Sequence, residues 1–323
     1  MFILGLQGSP RKGGNTDSLL AAFMEKAEQA GAVVKTIQVS RAGIVPCIGC
    51  GHCESHGTCV FAYDPMSMEI YGLLRAADMV VAASPVFFYG VSSQLKSLID
   101  RSQTLWSRKY VYKLRDPMAA TRKGVLLSVG ASKGRQLFDG VQLTAKYFFD
   151  AIDADFSHAL TYRGIEAKGA IREQKGLAAD IKAAIEKTVR PLLGRKKVLF
   201  LSETGACRSP MAAAIAQLRH GDHIRTGFGG VTPAPELSSA MVRVLGKMGV
   251  DMGYRQPSTI EGALFGARPD LVVVIGEAVG KPPLDGVSTL HWDFPRPSSM
   301  DDHAMERLRD DIATRIDSQL STI

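Results

Sequence analysis

The chain has 323 residues, 46% of them hydrophobic and 22% charged, with a formal net charge of +7. That length exceeds what one hydrophobic core ordinarily supports, so two domains are expected, and the composition is that of a globular rather than a disordered protein. Lys and Arg are scattered instead of forming a stripe with aromatics between them, which argues against nucleic acid and leaves a surface that welcomes anionic small molecules.

No apolar run approaches the roughly eighteen residues of a membrane span. The start, MFILGLQGSP, runs from an apolar strand straight into a glycine turn without the basic opening of a signal peptide, so a cytoplasmic location is expected. Of the five cysteines, four fall at 47, 50, 53 and 59, too close together to staple distant parts of a secreted fold. A reducing compartment with metal or redox use follows.

Apolar runs and helical patterns alternate from the start: FILGLQ, a helix from about Asn15 to Ala30, VVKTIQV, a loop, a helix near 65–76, and MVVAAS. A helix from about Ser92, GVLLSV at 124–129, a helix near 135–151 and a strand near 154–161 come next. Near-continuous Val/Ile/Leu strands separated by helices predict a doubly wound parallel α/β sheet, with ligands at the carboxyl ends of its strands.

The first such end is GSPRKGGNTDSLL. Its glycines let the backbone approach an anion, while Ser9, Arg11, Asn15 and Thr16 offer donors beside a helix N-terminus. A terminal phosphate fits; so does an N-capped turn, since Ser, Asn and Thr are also what caps use. It is neither a GxGxxG fingerprint nor a Walker loop. The next ends carry Pro85, Val86, Phe87, Phe88, Tyr89 and Gly90, then Gly130, Ala131, Ser132 and Gly134, loops suited to a flat ring held at its edge by backbone groups.

GSPRKGGNT, SPVFFYGVSSQLKSLIDR and the later YRGIEAKG resemble the flavodoxin-like NADPH-dependent FMN reductase family, including its iron–sulfur flavoprotein branch, over nearly all of residues 1–194. The resemblance implies FMN, with its phosphate on Ser9, Arg11, Asn15 and Thr16 and its ring against 85–90 and 130–134. It also implies NAD(P)H as hydride donor and a homo-oligomer, dimer or tetramer. In CIGCGHCESHGTC, three thiols two residues apart and a fourth five residues on can wrap a compact inorganic cluster. The spacing of Cys47, Cys50, Cys53 and Cys59 is similar to that of the iron–sulfur flavoproteins with their four-iron cluster; reduced thiols without metal are the alternative. His52 and His56 read as solvated loop residues.

After a helix from about 171 that ends at Leu193–Gly194, a smaller alternating pattern begins: VLFL, a helix from Ser209 to about His220, IRTGF, a helix from about Glu236 to Gly249, LVVVIG, STLHWDF and a final helix from about Asp301. Domains of 1–194 and 195–323 are expected. Ser202, Glu203, Thr204, Gly205, Ala206, Cys207, Arg208 and Ser209 form a candidate oxyanion cradle in which backbone N–H groups circle the anion and Arg208 pairs with it. With VDMGYRQPSTIE and HWDFPRPS, this half resembles the low-molecular-weight protein tyrosine phosphatase and arsenate reductase family over about 196–321. Arg208 and Ser209 match that pattern, but Ser202 occupies the nucleophilic cysteine's place and Arg296 the place of the general-acid aspartate. Cys207 reads as a buried small hydrophobe.

The sequence therefore predicts an FMN-dependent NAD(P)H oxidoreductase, with a possible four-iron cluster, fused to a phosphatase-like anion-binding domain that lacks its nucleophile. Its electrons would pass to a small-molecule acceptor or a redox partner protein. An electron carrier without NAD(P)H activity is the alternative reading, and an active phosphatase or arsenate reductase a third.

Overall fold

The computed structural model describes residues 1–276, 284–295 and 301–321. The chain divides into two compact units, one of residues 1–113 and 121–193, the other of residues 114–120 and 194–323. Among the described residues no helix is long and apolar enough to cross a membrane.

The first unit runs β1 (Phe2–Gln7), α1 (Asn15–Gln29), β2 (Val33–Gln38), α2 (His52–His56), α3 (Tyr71–Ala76), β3 (Met79–Pro85), α4 (Ser93–Arg101), α5 (Gln103–Tyr110), β4 (Lys123–Gly130), α6 (Asp139–Ala151), β5 (Asp155–Arg163), α7 (Leu177–Thr188) and α8 (Arg190–Leu193). All pairings are parallel, in the order β2-β1-β3-β4-β5, the doubly wound order of the flavodoxin type. The central strands are hydrophobic on both faces because helices cover both: β1 is buried throughout and β3 at six of seven positions. Order reverses between β1 and β3, where Gln7 lies in register with Ala83. That places the first two expected ligand loops side by side.

Elements expected from the sequence appear with modest shifts. The helix expected near 65–76 starts as a π-helical turn, Met66–Ile70, before α3, and the one expected from Ser92 breaks at Ser102 into α4 and α5. Ser92 is the N-cap of α4, accepting from Leu95 N at 3.3 Å.

The second unit runs β6 (Lys196–Ser202), α9 (Arg208–His220), β7 (Ile224–Gly230), α10 (Ser239–Lys247), β8 (Leu271–Ile275), β9 (Ser288–Trp292) and α11 (Asp302–Leu320). Its four parallel strands lie in the order β7-β6-β8-β9. One core packs α9 and α11 through Met211, Ile215, Met305 and Ile312 around Phe200 and Trp292. Residues 114–120, inside the range assigned to the first domain from the sequence, group with this unit. Asp116 is fully buried there and takes both Arg255 Nη2 contacts, at 3.0 and 2.9 Å, while Arg115 forms a parallel bridge with Val250.

Candidate functional site

In the first unit the loops that leave β1, β3 and β4 meet. Gly8 N donates to Ala83 O at 2.8 Å, and Ser92 Oγ donates to Gly8 O at 2.6 Å, so the first loop is bonded to β3 and to the start of α4. A Cβ on Gly8 would stand 2.7 Å from Leu95 Cβ and 2.9 Å from Ala83 O; only glycine allows this approach. The third loop closes on the second: a Cβ on Gly134 would lie 2.9 Å from Tyr89 Oη.

The first loop leaves donors unspent. The N-cap of α1 is Gly14 and no side chain caps the helix, which leaves first-turn N–H groups for another acceptor. Ser9 and Thr16 are buried; Ser9 Oγ accepts from Arg11 N at 3.2 Å. Gln7 is fully buried, its Oε1 taking Ser9 N and its Nε2 without a partner among the described residues, a donor left over at this strand end. Asp17 opposes an anion, because its carboxylate accepts Gly13 N at 2.8 Å.

Asn15 has a different place from the one expected. Its Nδ2 donates to Ala167 O at 2.9 Å and its Oδ1 accepts from Ile171 N at 3.2 Å, so both ends of the amide staple the loop after β5 onto α1. That staple brings Lys168 over the first loop, with Nζ 3.8 Å from where a Gly13 Cβ would be. Sequence reading missed Lys168, although it lies in the quoted YRGIEAKG; its distance in sequence from the first loop hides its role.

The second loop is strained. Phe87 N donates to Gly90 O at 3.0 Å and Gly90 N to Phe87 O at 2.9 Å, closing a two-residue turn with φ of 46° at Phe88 and 62° at Tyr89. Such turns favour Asn-Gly; left-handed backbone costs an L-residue about 1–2 kcal/mol. Two aromatics bear that cost here, and the relative exposure of Phe88 is 105%, that of Tyr89 52%. A strained turn that pushes rings into solvent is the mark of a ligand surface. Pro85 ends β3, and Val86 N donates to Val129 O at 3.2 Å, setting the turn beside β4. In the third loop Gly130 O accepts from Ile165 N, Ser132 O from Gly164 N (both 3.1 Å), and Ser132 Oγ from Gly134 N at 3.3 Å; Ala131 is exposed.

Cys47, Cys50, Cys53 and Cys59 all line one pocket of about 520 Å³, together with Arg101 at its wall. Cys47 and Cys50 are exposed, Cys53 and Cys59 half-buried. A mononuclear site with metal–sulfur bonds of about 2.3 Å holds its thiolates within roughly 4 Å of one another. Among the described residues no three His, Cys, Asp or Glu groups converge that way. The four thiols are of the chemical type that ligates iron–sulfur clusters. His52 and His56 stack on each other, ring centroids 4.1 Å apart, along the short helix α2.

In the second unit, the carbonyls of Ser202, Glu203, Thr204 and Ala206 accept from the N–H groups of Val231, Thr232, Ala234 and Ser238 at 2.9–3.3 Å. In a trans peptide the following N–H points the opposite way, so the amides of Glu203, Thr204, Gly205 and Cys207 face away from that segment, beside the N-terminus of α9. Gly205, at φ of 65°, packs against β7, where a Cβ would come within 2.8 Å of Gly230 N. The loop is thereby tied to the end of β7 and the segment after it.

The cradle's chemistry is muted. Ser209 Oγ donates to Gly229 O at 3.1 Å, so in the 2.8 Å pair between the two serines Ser202 is the donor and its proton points at a hydroxyl, not a base. Burial pushes the Cys207 thiol up to about 11 against the opposing pull of Arg208, which leaves it neutral at ordinary pH. Arg208 is buried, with Nη1 donating to Phe294 O at 2.7 Å, and burial also lowers its basicity. Arg296 lies outside the described residues.

Residues 1–151 match the family of NADPH-dependent FMN reductases. The chain is 37% identical to an iron–sulfur flavoprotein of Methanosarcina thermophila over 133 residues, 41% of this chain and 65% of that relative's length. It is 26% identical to an arsenate reductase of Bacillus cereus over 125 residues, 38% of this chain and 92% of the relative. Among solved structures, an FMN-dependent NADH-azoreductase from Bacillus anthracis in complex with FMN covers 58% of this chain and 98% of its own, at 9% identity and a TM-score of 0.43. Residues 1–151 are thus similar to the NADPH-dependent FMN reductases and to iron–sulfur flavoproteins, of whose length the chain spans less than two thirds, and a stretch of 125 residues is similar to an arsenate reductase.

Proposed function

We propose that the first unit is an FMN-dependent oxidoreductase which takes hydride from NAD(P)H at the Phe87–Gly90 turn and holds a four-iron cluster on Cys47, Cys50, Cys53 and Cys59. The second unit binds an oxyanion without hydrolysing phosphoesters. The observation that carries the first half is the strained, exposed aromatic turn fixed between two glycine loops at the β1/β3 crossover.

Bound FMN would supply reversible two-electron and one-electron chemistry. The chain's part is to bind and orient. The first-turn amides of α1, Ser9, Arg11, Thr16 and Lys168 hold the phosphate, and Asn15 acts by keeping Lys168 in place. The loops at 85–90 and 130–134 hold the ring edge through backbone groups, leaving the Phe88 ring free to receive a second flat group such as nicotinamide. No dinucleotide fingerprint is needed for that brief stacking. A small-molecule acceptor or redox partner protein then takes the electrons. Exposed Trp106, Tyr110, Leu143 and Tyr147 on α5 and α6 support a homo-oligomer, and a cytoplasmic setting suits four clustered cysteines that form no disulfide. The exposure of Cys47 and Cys50 favours, as a second reading, an electron carrier reduced by another protein.

Steady-state NADPH oxidation by the FMN-loaded chain separates these readings. In the first, Phe88→Ala keeps bound flavin yet raises KM for NADPH several-fold; no oxidation by the wild type leaves the carrier.

A double-mutant cycle tests the phosphate loop. Asn15→Ala and Lys168→Ala should each weaken FMN about tenfold, as loss of a charge-assisted contact of roughly 1.5 kcal/mol requires, and the pair no further than either alone. Additive losses would make Asn15 a direct contact.

Full-length wild type should hydrolyse no aryl phosphate, since a serine lacks the accessible anion of a helix-terminal cysteine, whose pKa can fall to about 3.5–7.5. Activity appearing in Ser202→Cys/Arg296→Asp would fit a cradle that lacks only its reacting groups. Wild-type turnover abolished by Ser202→Ala would contradict it.

A further inference from the structure

The cysteine loop is gripped on both sides by one buried ion pair. Arg101 is 1% exposed and Asp64 8%. Arg101 Nη1 donates to Asp64 Oδ2 at 2.6 Å and Nη2 to Asp64 Oδ1 at 3.0 Å, a two-pronged fork. Nη1 also donates to Val45 O at 2.7 Å, and Val45 N donates to Asp64 Oδ2 at 3.2 Å, so the pair holds both polar groups of the residue two places before Cys47. On the other flank, Nη2 reaches Phe61 O at 3.4 Å, two places after Cys59, and Ser67 Oγ at 3.2 Å; the guanidinium also lies 5.2 Å from the Phe61 ring centroid. Ser67 N closes the arrangement on Asp64 Oδ1 at 3.1 Å.

Burial alone would favour a neutral Asp64, but Arg101 and the backbone N–H groups of Ser67 and Val45 overcome it and hold the carboxyl below its usual range. The pair is therefore charged, its cation at the wall of the thiol pocket. One donor of the guanidinium is unspent: Nε is buried and without a partner among the described residues.

We infer that Arg101 is the positioning residue of the cysteine pocket, locking both flanks of the 45–64 loop through Asp64 and holding its positive charge at the wall beside a sulfur-ligated anionic cluster. The inference rests on the reading of the pocket as a cluster site, and the tests below separate the two. A cation beside the sulfur ligands stabilises the more negative, reduced state; its removal lowers the midpoint potential. Removing Arg101 alone would strand a buried carboxylate and strongly destabilise the chain, so both charges must be replaced together.

The experiment compares wild type, Arg101→Gln/Asp64→Asn and Arg101→Lys as FMN-loaded full chains, reconstituted anaerobically with ferrous iron and sulfide. The double variant should keep wild-type flavin content but lose iron to a chelator at least several-fold faster, and any cluster it retains should titrate at a more negative potential. Arg101→Lys, which keeps the charge but loses the fork, should also lose iron faster with a smaller shift in potential. Wild-type iron retention and potential in the double variant would overturn the inference, as would loss of flavin in both variants, because the pair would then serve the whole unit. If the wild type itself takes up no iron, the cluster reading fails. The lock is then read from the rate at which a disulfide reagent modifies the four thiols: faster in the double variant supports it, unchanged overturns it.

Discussion

The hydrogen bond from Ser92 Oγ to the Gly8 carbonyl, with Gly8 N on Ala83 O, is the constraint on which the first unit's site depends. Parallel strands place their carboxyl ends on one edge, but adjacency alone would leave the loops independent. Bonding through Gly8 fixes the anion loop to β3 and to the N-cap of α4, and the Leu95 contact forbids any larger residue at that point. The aromatic turn, which leaves β3 only a few residues later, inherits its position from that bond. Its left-handed Phe88 and Tyr89 are held by the Phe87–Gly90 pairing and by Tyr89's approach to Gly134.

The same device recurs in the second unit with different chemistry. Gly205 and Gly230 allow the loop after β6 to press against the end of β7, and the carbonyls bonded to residues 231–238 turn the opposite peptide faces outward. In the same loop Ser202 gives its proton to Ser209 and Cys207 stays protonated. A cradle is a backbone property; a nucleophile is a single side chain.

Much of this was legible in the sequence for a physical reason. Buried parallel strands must be apolar and their ends must turn, so glycine-rich stretches after VLFL, FILGLQ and GVLLSV mark ligand loops without any knowledge of pairing. What stayed hidden depends on contacts between distant residues. Asn15 reads as a donor to an anion, but its amide is spent on Ala167 and Ile171, and Lys168 arrives only through that staple. Asp64 and Arg101 look like ordinary surface charges until the fold buries them together. Two consecutive aromatics with positive φ contradict local preference, so the turn at Phe88 could not be read as strained. The grouping of residues 114–120 with the second unit has no signal at all in the string LRDPMAA.

The most direct test of the central claim is an equilibrium titration of the flavin-stripped chain with FMN, followed by quenching of flavin fluorescence. The geometry predicts saturable binding of one FMN per chain, lost or strongly weakened in Gly8→Ala, whose new Cβ would meet Leu95 and the Ala83 carbonyl and push the anion loop off β3. A wild-type chain that binds no FMN, or a folded Gly8→Ala chain that binds it with wild-type affinity, would contradict the assignment of the flavin to these three strand ends.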